Sequence, residues 1–205
     1  MTGTGFAMEA LNRSLYLAIN APDHPAALVV AAAAIFGEYA IWIVPAMVGL
    51  GWLRGDTSTR KILLEATASA LSGLFANQLI ALAWQHPRPF MIGLGNTLIP
   101  HVADSSFPSD HLTLLWAVAF SLLMQDRSRR VGLALALLGI PMAWARIYLG
   151  VHFPLDMAGA ALVALLSAGG AHWAAPWFVT PACNAANRVH RCLFAPLIRR
   201  GWVQK

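Results

Sequence analysis

Three short stretches of this sequence hold residue types suited to phosphoryl chemistry. His86-Pro87-Arg88-Pro89-Phe90 sets one guanidinium between two prolines. The rings fix the local backbone and disfavour helix just before them, so Arg88 is expected on a stiff, extended strut. A planar guanidinium fork suits phosphate oxygens, and an arginine ending a helix at lipid headgroups fits the stretch equally well. Phe107-Pro108-Ser109-Asp110-His111 opens an apolar segment. Ser109 is a natural helix N-cap, and Asp110 in the first turn complements the helix dipole. Free N–H groups at such a start also form an anion site that Ser109 can share. Capping does not account for His111, which is placed to give a proton to a leaving group. In the third stretch, Arg146 to Asp156, His152 and Asp156 are four residues apart. They approach each other if a helix begins near Pro154. An aspartate accepting from one ring nitrogen fixes the tautomer and leaves the other nitrogen as nucleophile or ligand. An acidic helix start beside an interfacial histidine is the plainer alternative.

Taken together, the stretches describe one division of labour. Arg88 and Arg146 neutralise a phosphoryl group, Ser109 helps hold it, one histidine attacks phosphorus and the other protonates the departing oxygen. That chemistry calls for no metal and no cofactor, and no compact Asp/Glu cluster of the kind that holds a hard cation is evident. His86, His101, Asp104 and Asp110 form a second tier of candidates, the two aspartates as residues tuning His101 or His111. Glu38, inside an apolar segment, is expected to pair with a polar neighbour.

The elements that must position these residues are apolar helices. The 205 residues are 58% hydrophobic and 11% charged, less than half the roughly 25% charge of an average soluble chain. The charges are clustered, leaving long uncharged stretches suited to a hydrocarbon slab crossed by about 20 residues per helix. Apolar segments run from about Ala26 to Leu53, Ile62 to Trp84, Leu112 to Met124, Val131 to Trp144 and Pro154 to Trp173. The third and fourth are short and must borrow flanking motif residues. The expectation is an all-α integral membrane bundle of about five transmembrane helices in one domain. An N-terminal amphipathic segment within residues 1–24 is added, interfacial or a sixth span across residues 6–20, together with a basic, surface-lying tail at 175–205.

Basic residues orient the bundle. Arg54, Arg60 and Lys61, then Arg127, Arg129 and Arg130, then the tail arginines fall on one side of five spans. By the positive-inside rule that side is cytoplasmic. Gln85–Pro108 and Arg146–His152 then share the outer face of a cytoplasmic membrane, with the C-terminus inside. The +5 formal charge belongs to this topology rather than to nucleic acid. No cleavable signal peptide is evident. Cys183 and Cys192 are too few for a disulfide framework, and a bond between them is not expected in a cytoplasmic tail.

Arg-Pro, Pro-Ser-x-His and Arg-x5-His-x3-Asp, in that order, resemble the motifs of the type 2 phosphatidic acid phosphatase superfamily. The match falls on Arg88, Pro89, Pro108, Ser109, His111, Arg146, His152 and Asp156, and extends from about Asn77 to Gly159. The longer strings His-Pro-Arg-Pro-Phe and Ala-Asp-Ser-Ser-Phe-Pro-Ser-Asp-His are similar to its bacitracin-resistance branch of undecaprenyl-diphosphatases. The resemblance implies hydrolysis of a polyprenyl diphosphate lipid, undecaprenyl diphosphate, to the monophosphate carrier used in cell-wall assembly, by way of a phosphohistidine on His152. The superfamily pattern has a lysine where this chain has Ala81, and Asp110 and Ala145 also depart from it. His86 or His101 can compensate for the lost cation, whereas Lys61 falls on the wrong side. The same chemistry on phosphatidylglycerol phosphate or lipid A is the nearest alternative, and a transporter of the lipid carrier is the alternative of another class, disfavoured by the lack of evident pseudo-symmetric halves.

Overall fold

The structure, a computed structural model, describes residues 3–204, which form helices joined by short turns and one long loop. After α1 (Gly3–Ile19), α2 (Ala27–Ala34) and α3 (Ile43–Arg54) continue as one rod, joined by a π-helical turn at Ile35–Tyr39 and a 3-10 turn at Ala40–Trp42. α4 (Thr57–Ala83) precedes the long loop, and α5 (Asp110–Leu123), α6 (Arg129–Tyr148), α7 (Pro154–Leu193) and the short α8 (Ala195–Arg199) follow. The α2–α3 rod, α4, α6 with its preceding turn, and α7 are each long and apolar enough to cross a membrane. With α5 as the shorter fifth, this is the all-α membrane bundle that the hydropathy predicts.

α5 is the hub, packed against α4, α6 and α7. Small residues line these contacts: Ala66, Ser69 and Ala70 of α4, Ala117 and Ala119 of α5, and Ala160, Ala164 and Ala168 of α7 are all buried. In lipid, tails compete equally for apolar side chains, so close backbone approach through small residues is what favours helix association. The large apolar side chains point outward instead, among them Leu71, Phe75 and Leu79 of α4 and Leu133, Leu137 and Ile140 of α6. Such a surface is stable only if something apolar covers it. The one acidic side chain within α4, Glu65, is buried and accepts from His172 of α7 at 2.8 Å and from Gln125 at 3.0 Å. An intramembrane carboxylate is thereby satisfied by partners at the same depth.

α1 lies across one end of the bundle rather than through it. Its contacts from one end to the other fall on that same end. Glu9 faces His86, Asn12 accepts from the Leu155 N–H at 3.0 Å, Tyr16 donates to the Leu94 carbonyl at 3.1 Å, and Asn20 donates to the carbonyls of Asn96 and Tyr148. A crossing helix would meet the opposite end as well. Phe6, Met8, Leu11, Leu15 and Leu17 are exposed while Asn12 and Tyr16 are buried, which suits a helix lying in the interface.

The C-terminal region differs from expectation. No surface-lying tail begins near residue 175; α7 continues unbroken through Pro176 and Pro181 to Leu193, two prolines that each remove one ladder hydrogen bond without ending the helix. Arg60 at the start of α4 holds that extension in place. Buried, it donates to Asn187 at 2.8 Å, to His190 at 3.0 Å, and to the carbonyls of Trp52 and Gln204 at 3.0 and 2.9 Å. Cys183 and Cys192, both free, lie nine residues apart on this one helix, a rise of about 13 Å at 1.5 Å per residue. No disulfide can span that distance.

Candidate active site

The residues singled out by type and spacing converge where α5 and α7 begin and α6 ends. Local sequence explains each placement. Arg88 is extended (φ −72°, ψ 158°) between its two prolines, and Pro89 starts a 3-10 turn that runs to Ile92. The guanidinium is buried and fully engaged. Nε donates to Asp104 Oδ1 at 2.7 Å, Nη2 to the Ser105 carbonyl at 3.2 Å, and Nη1 to the Val151 carbonyl at 2.9 Å and His152 Nε2 at 3.0 Å.

His152 follows a sharp turn. Gly150 has φ +86°, and a Cβ there would come within 2.1 Å of the Asn96 carbonyl oxygen. Only glycine accepts both the dihedral and the close approach. Pro154 then starts α7, which brings Asp156 back under the ring: His152 Nδ1 lies 3.2 Å from Asp156 Oδ2. That oxygen also accepts from the Phe153 N–H at 2.7 Å and from the Ser106 hydroxyl. With Nδ1–H donated to a carboxylate and Nε2 receiving an N–H from Arg88, the ring is neutral with its lone pair on Nε2. Burial pushes the His152 imidazole down to about 4, and the neighbouring Arg146 and Arg88 charges act in the same direction, against the hydrogen bond that the ring donates to Asp156. A neutral imidazole at physiological pH results.

Arg146, in the last turn of α6, is buried too. Nη1 donates to the Gly37 carbonyl in the π-helical turn at 3.2 Å, and Nη2 to His101 Nε2 at 3.0 Å, while Nε has no partner. Gly37 sits so close to α6 that a Cβ would meet a Leu149 methyl at 2.8 Å. The second-tier residue His101 is therefore part of the cluster, its ring centroid 6.2 Å from that of His152.

Ser109 occupies the N-cap position of α5, but its side chain makes no capping hydrogen bond. Its hydroxyl is buried with no protein partner, while its N–H is taken by the Asp156 carbonyl at 3.3 Å. A buried, unpaired hydroxyl is costly unless something else binds it. His111, in the first turn of α5, lies within electrostatic reach of Arg146, His152, His101 and Arg88.

Three second-tier residues stand differently. The His86 ring turns away from the cluster, packing on Trp84 and Phe153 with Nε2 3.5 Å from Glu9, and its backbone meets the site loop, the carbonyl accepting from the Ser106 N–H and the N–H donating to the Ser105 hydroxyl. Asp110 is exposed and accepts from Asn77 at 2.7 Å. Asp104 is more than half exposed and caps Arg88. Ser106 was not among the sequence candidates; one serine in a run of polar loop residues carries no distinguishing signal, and only the fold reveals that it shares an oxygen with His152. Ala81, at the position of the missing lysine, lines an open cavity of about 410 Å³ with Gln78, Gln85 and Asp104.

Two guanidinium groups, a neutral imidazole with a fixed lone pair, a second imidazole and an unpaired hydroxyl form a constellation able to bind a phosphoryl group and accept it on nitrogen.

Residues 62–180 match the profile of the PAP2 superfamily. The chain is 37% identical to undecaprenyl-diphosphatase BcrC of Bacillus subtilis, over 76% of this chain and 80% of that protein. It is 32% identical to the putative undecaprenyl-diphosphatase YbjG of Escherichia coli, over 96% and 99%. Among solved structures, Aquifex aeolicus LpxE superposes with a TM-score of 0.61 at 23% identity, covering 78% of this chain and 94% of that one. The PAP2 type phosphatidylglycerolphosphate phosphatase of Bacillus subtilis superposes at 0.55 and 20%, covering 81% and 85%. At those identities the structures speak for the fold.

Proposed function

The chain belongs to the PAP2 superfamily, and from that premise we propose that it is the phosphatase that converts undecaprenyl diphosphate to undecaprenyl phosphate and inorganic phosphate, recycling a cell-wall lipid carrier. The observation that carries this reading is the His152 ring, held by Asp156 on one nitrogen with the other facing Arg88. Arg88, Arg146 and the Ser109 hydroxyl hold the terminal phosphate. The Nε2 lone pair of His152 attacks phosphorus as the bond to the bridging oxygen breaks; the departing lipid phosphate keeps the electron pair of that bond and takes a proton from His111, which is protonated in the substrate complex, where the diphosphate charge offsets the surrounding cations. His111 then accepts a proton from water, whose oxygen attacks the phosphohistidine. The P–N electrons return to Nε2, and inorganic phosphate leaves. The two guanidinium groups are already fixed in a buried site, so little reorganisation accompanies the build-up of negative charge.

The enzyme sits in the bacterial cytoplasmic membrane with this site outward and its C-terminus inside. Supporting that orientation, Arg54, Lys61, Arg127, Arg129 and Arg130 all lie in or beside the α3–α4 and α5–α6 connections, at the end of the bundle opposite His152.

Phosphate release from undecaprenyl diphosphate by the purified protein in detergent with excess EDTA tests the reading, beside His152→Ala. Release by the wild type and none by the variant is the expected result. Release that persists in the variant overturns the covalent scheme, release abolished by EDTA restores a metal to the reaction, and no release at all redirects the search to other phospholipids.

A further inference from the structure

The site lacks a cation that the family pattern provides, since position 81 is alanine. His86 does not replace it, being turned towards Glu9. His101 lies in the right place. Its Nε2 accepts from Arg146 Nη2 at 3.0 Å, its Nδ1–H is donated to the Val102 carbonyl at 3.1 Å, and its ring lies edge-on to that of His152. On Arg146, His101 therefore occupies the position that a phosphoryl oxygen takes when substrate binds.

That placement has a chemical consequence. Once Nη2 turns its N–H to a phosphoryl oxygen, His101 Nε2 is left presenting a lone pair to an anion. The contact is repulsive unless Nε2 takes up a proton, after which it becomes a charged donor to the same oxygen. We propose that His101 is a phosphate-binding residue that becomes protonated as the anion enters, supplying the cation missing at Ala81. The inference rests on the phosphatase reading of the same site.

The resting state fits. Burial, Arg88 and Arg146 hold the His101 imidazole below its ordinary range, outweighing Asp104, whose Oδ1 is 4.0 Å from Nδ1. The ring is neutral before the anion arrives. Around it stand Arg146 of α6, Arg88 and Asp104 of the loop, His152 before α7 and, within electrostatic reach, His111 of α5. Because His111 and His152 can also gain protons on anion binding, the informative quantity is the difference between variants rather than the total.

Calorimetric titration of the detergent-solubilised protein with tungstate, a phosphate mimic that needs no turnover, counts protons taken up when repeated in buffers of different ionisation enthalpy. Near neutral pH, wild type should take up about one proton more per tungstate than either His101→Gln or His101→Lys. His101→Gln should bind about tenfold more weakly, and His101→Lys, carrying a permanent charge, should recover most of that loss. A merely structural histidine would not be rescued by lysine. Equal proton uptake in wild type and both variants overturns the proposal, as does weak binding by His101→Lys when its thermal unfolding matches wild type. If the wild-type protein binds tungstate but releases no phosphate from undecaprenyl diphosphate, the substrate assignment fails while the anion site stands.

Discussion

Ser106 and His152 both hydrogen-bond to one oxygen of Asp156, and the Phe153 N–H donates to it as well. The carboxylate is thus fixed from three sides and in turn fixes the imidazole. Asp156→Asn keeps the shape but offers an amide in place of a pure acceptor, which favours the wrong tautomer and puts a proton on Nε2. The variant should lose about 10²–10⁴-fold in kcat with KM little changed, by analogy with other carboxylate-oriented histidines. Steady-state kinetics on a lipid diphosphate in detergent give the split, and a loss confined to KM would contradict an orienting role.

The two buried serines should separate function from stability. Ser106→Ala removes a donor from Asp156, so melting temperature and kcat should both fall, the first by an amount equivalent to about 1 kcal/mol. Ser109→Ala removes a hydroxyl that has no protein partner. Its melting temperature should stay level or rise, while kcat/KM falls roughly 10- to 100-fold through loss of a phosphate contact. Unfolding scans of the two variants beside wild type, followed by kinetics, settle it. A Ser109→Ala protein that melts well below wild type would mean the hydroxyl has a structural partner.

Acid should destabilise the fold through its site histidines. His152 titrates at about 4 in the folded protein, and burial holds His101 low as well, against about 6.5 in an unfolded chain. Between those values the unfolded state binds protons that the folded state refuses, so stability rises with pH across that window. It is fully present above about 6.5 and falls as pH drops towards 4. Melting curves from neutral to acidic pH should show that decline, and His152→Gln should flatten it. A slope unchanged in the variant would show that other groups dominate.

Much of this was legible before any fold was known, for identifiable reasons. The helices were visible because a membrane demands long uncharged runs, and the pairing of His152 with Asp156 because four residues is one helical turn after Pro154. Arginines such as Arg127 and Arg129 supply the basis for the sidedness proposed above. What stayed hidden depends on contacts with no local signature. Ser106 looks like any loop serine until α7 passes beneath it, and the choice between His86 and His101 turns on which way two loop rings face. The reach of α7 beyond residue 175 was obscured by the basic character of that stretch, and Arg60, more than a hundred residues earlier, holds the far end in place.

That last contact makes its own prediction. Arg60 joins the start of α4 to α7 and to the Gln204 carbonyl, at the opposite end of the bundle from His152. Removing it leaves the Trp52 and Gln204 carbonyls, Asn187 and the buried His190 with fewer donors, a loss on the order of 3 kcal/mol. Arg60→Ala should therefore melt several degrees lower and expose the segment after Trp177 to limited proteolysis. The protein that remains folded should keep kcat/KM within about twofold of wild type, because effects at well-separated sites add rather than couple. A large fall in kcat/KM with an unchanged melting temperature would reverse that assignment and tie this end of the bundle to catalysis.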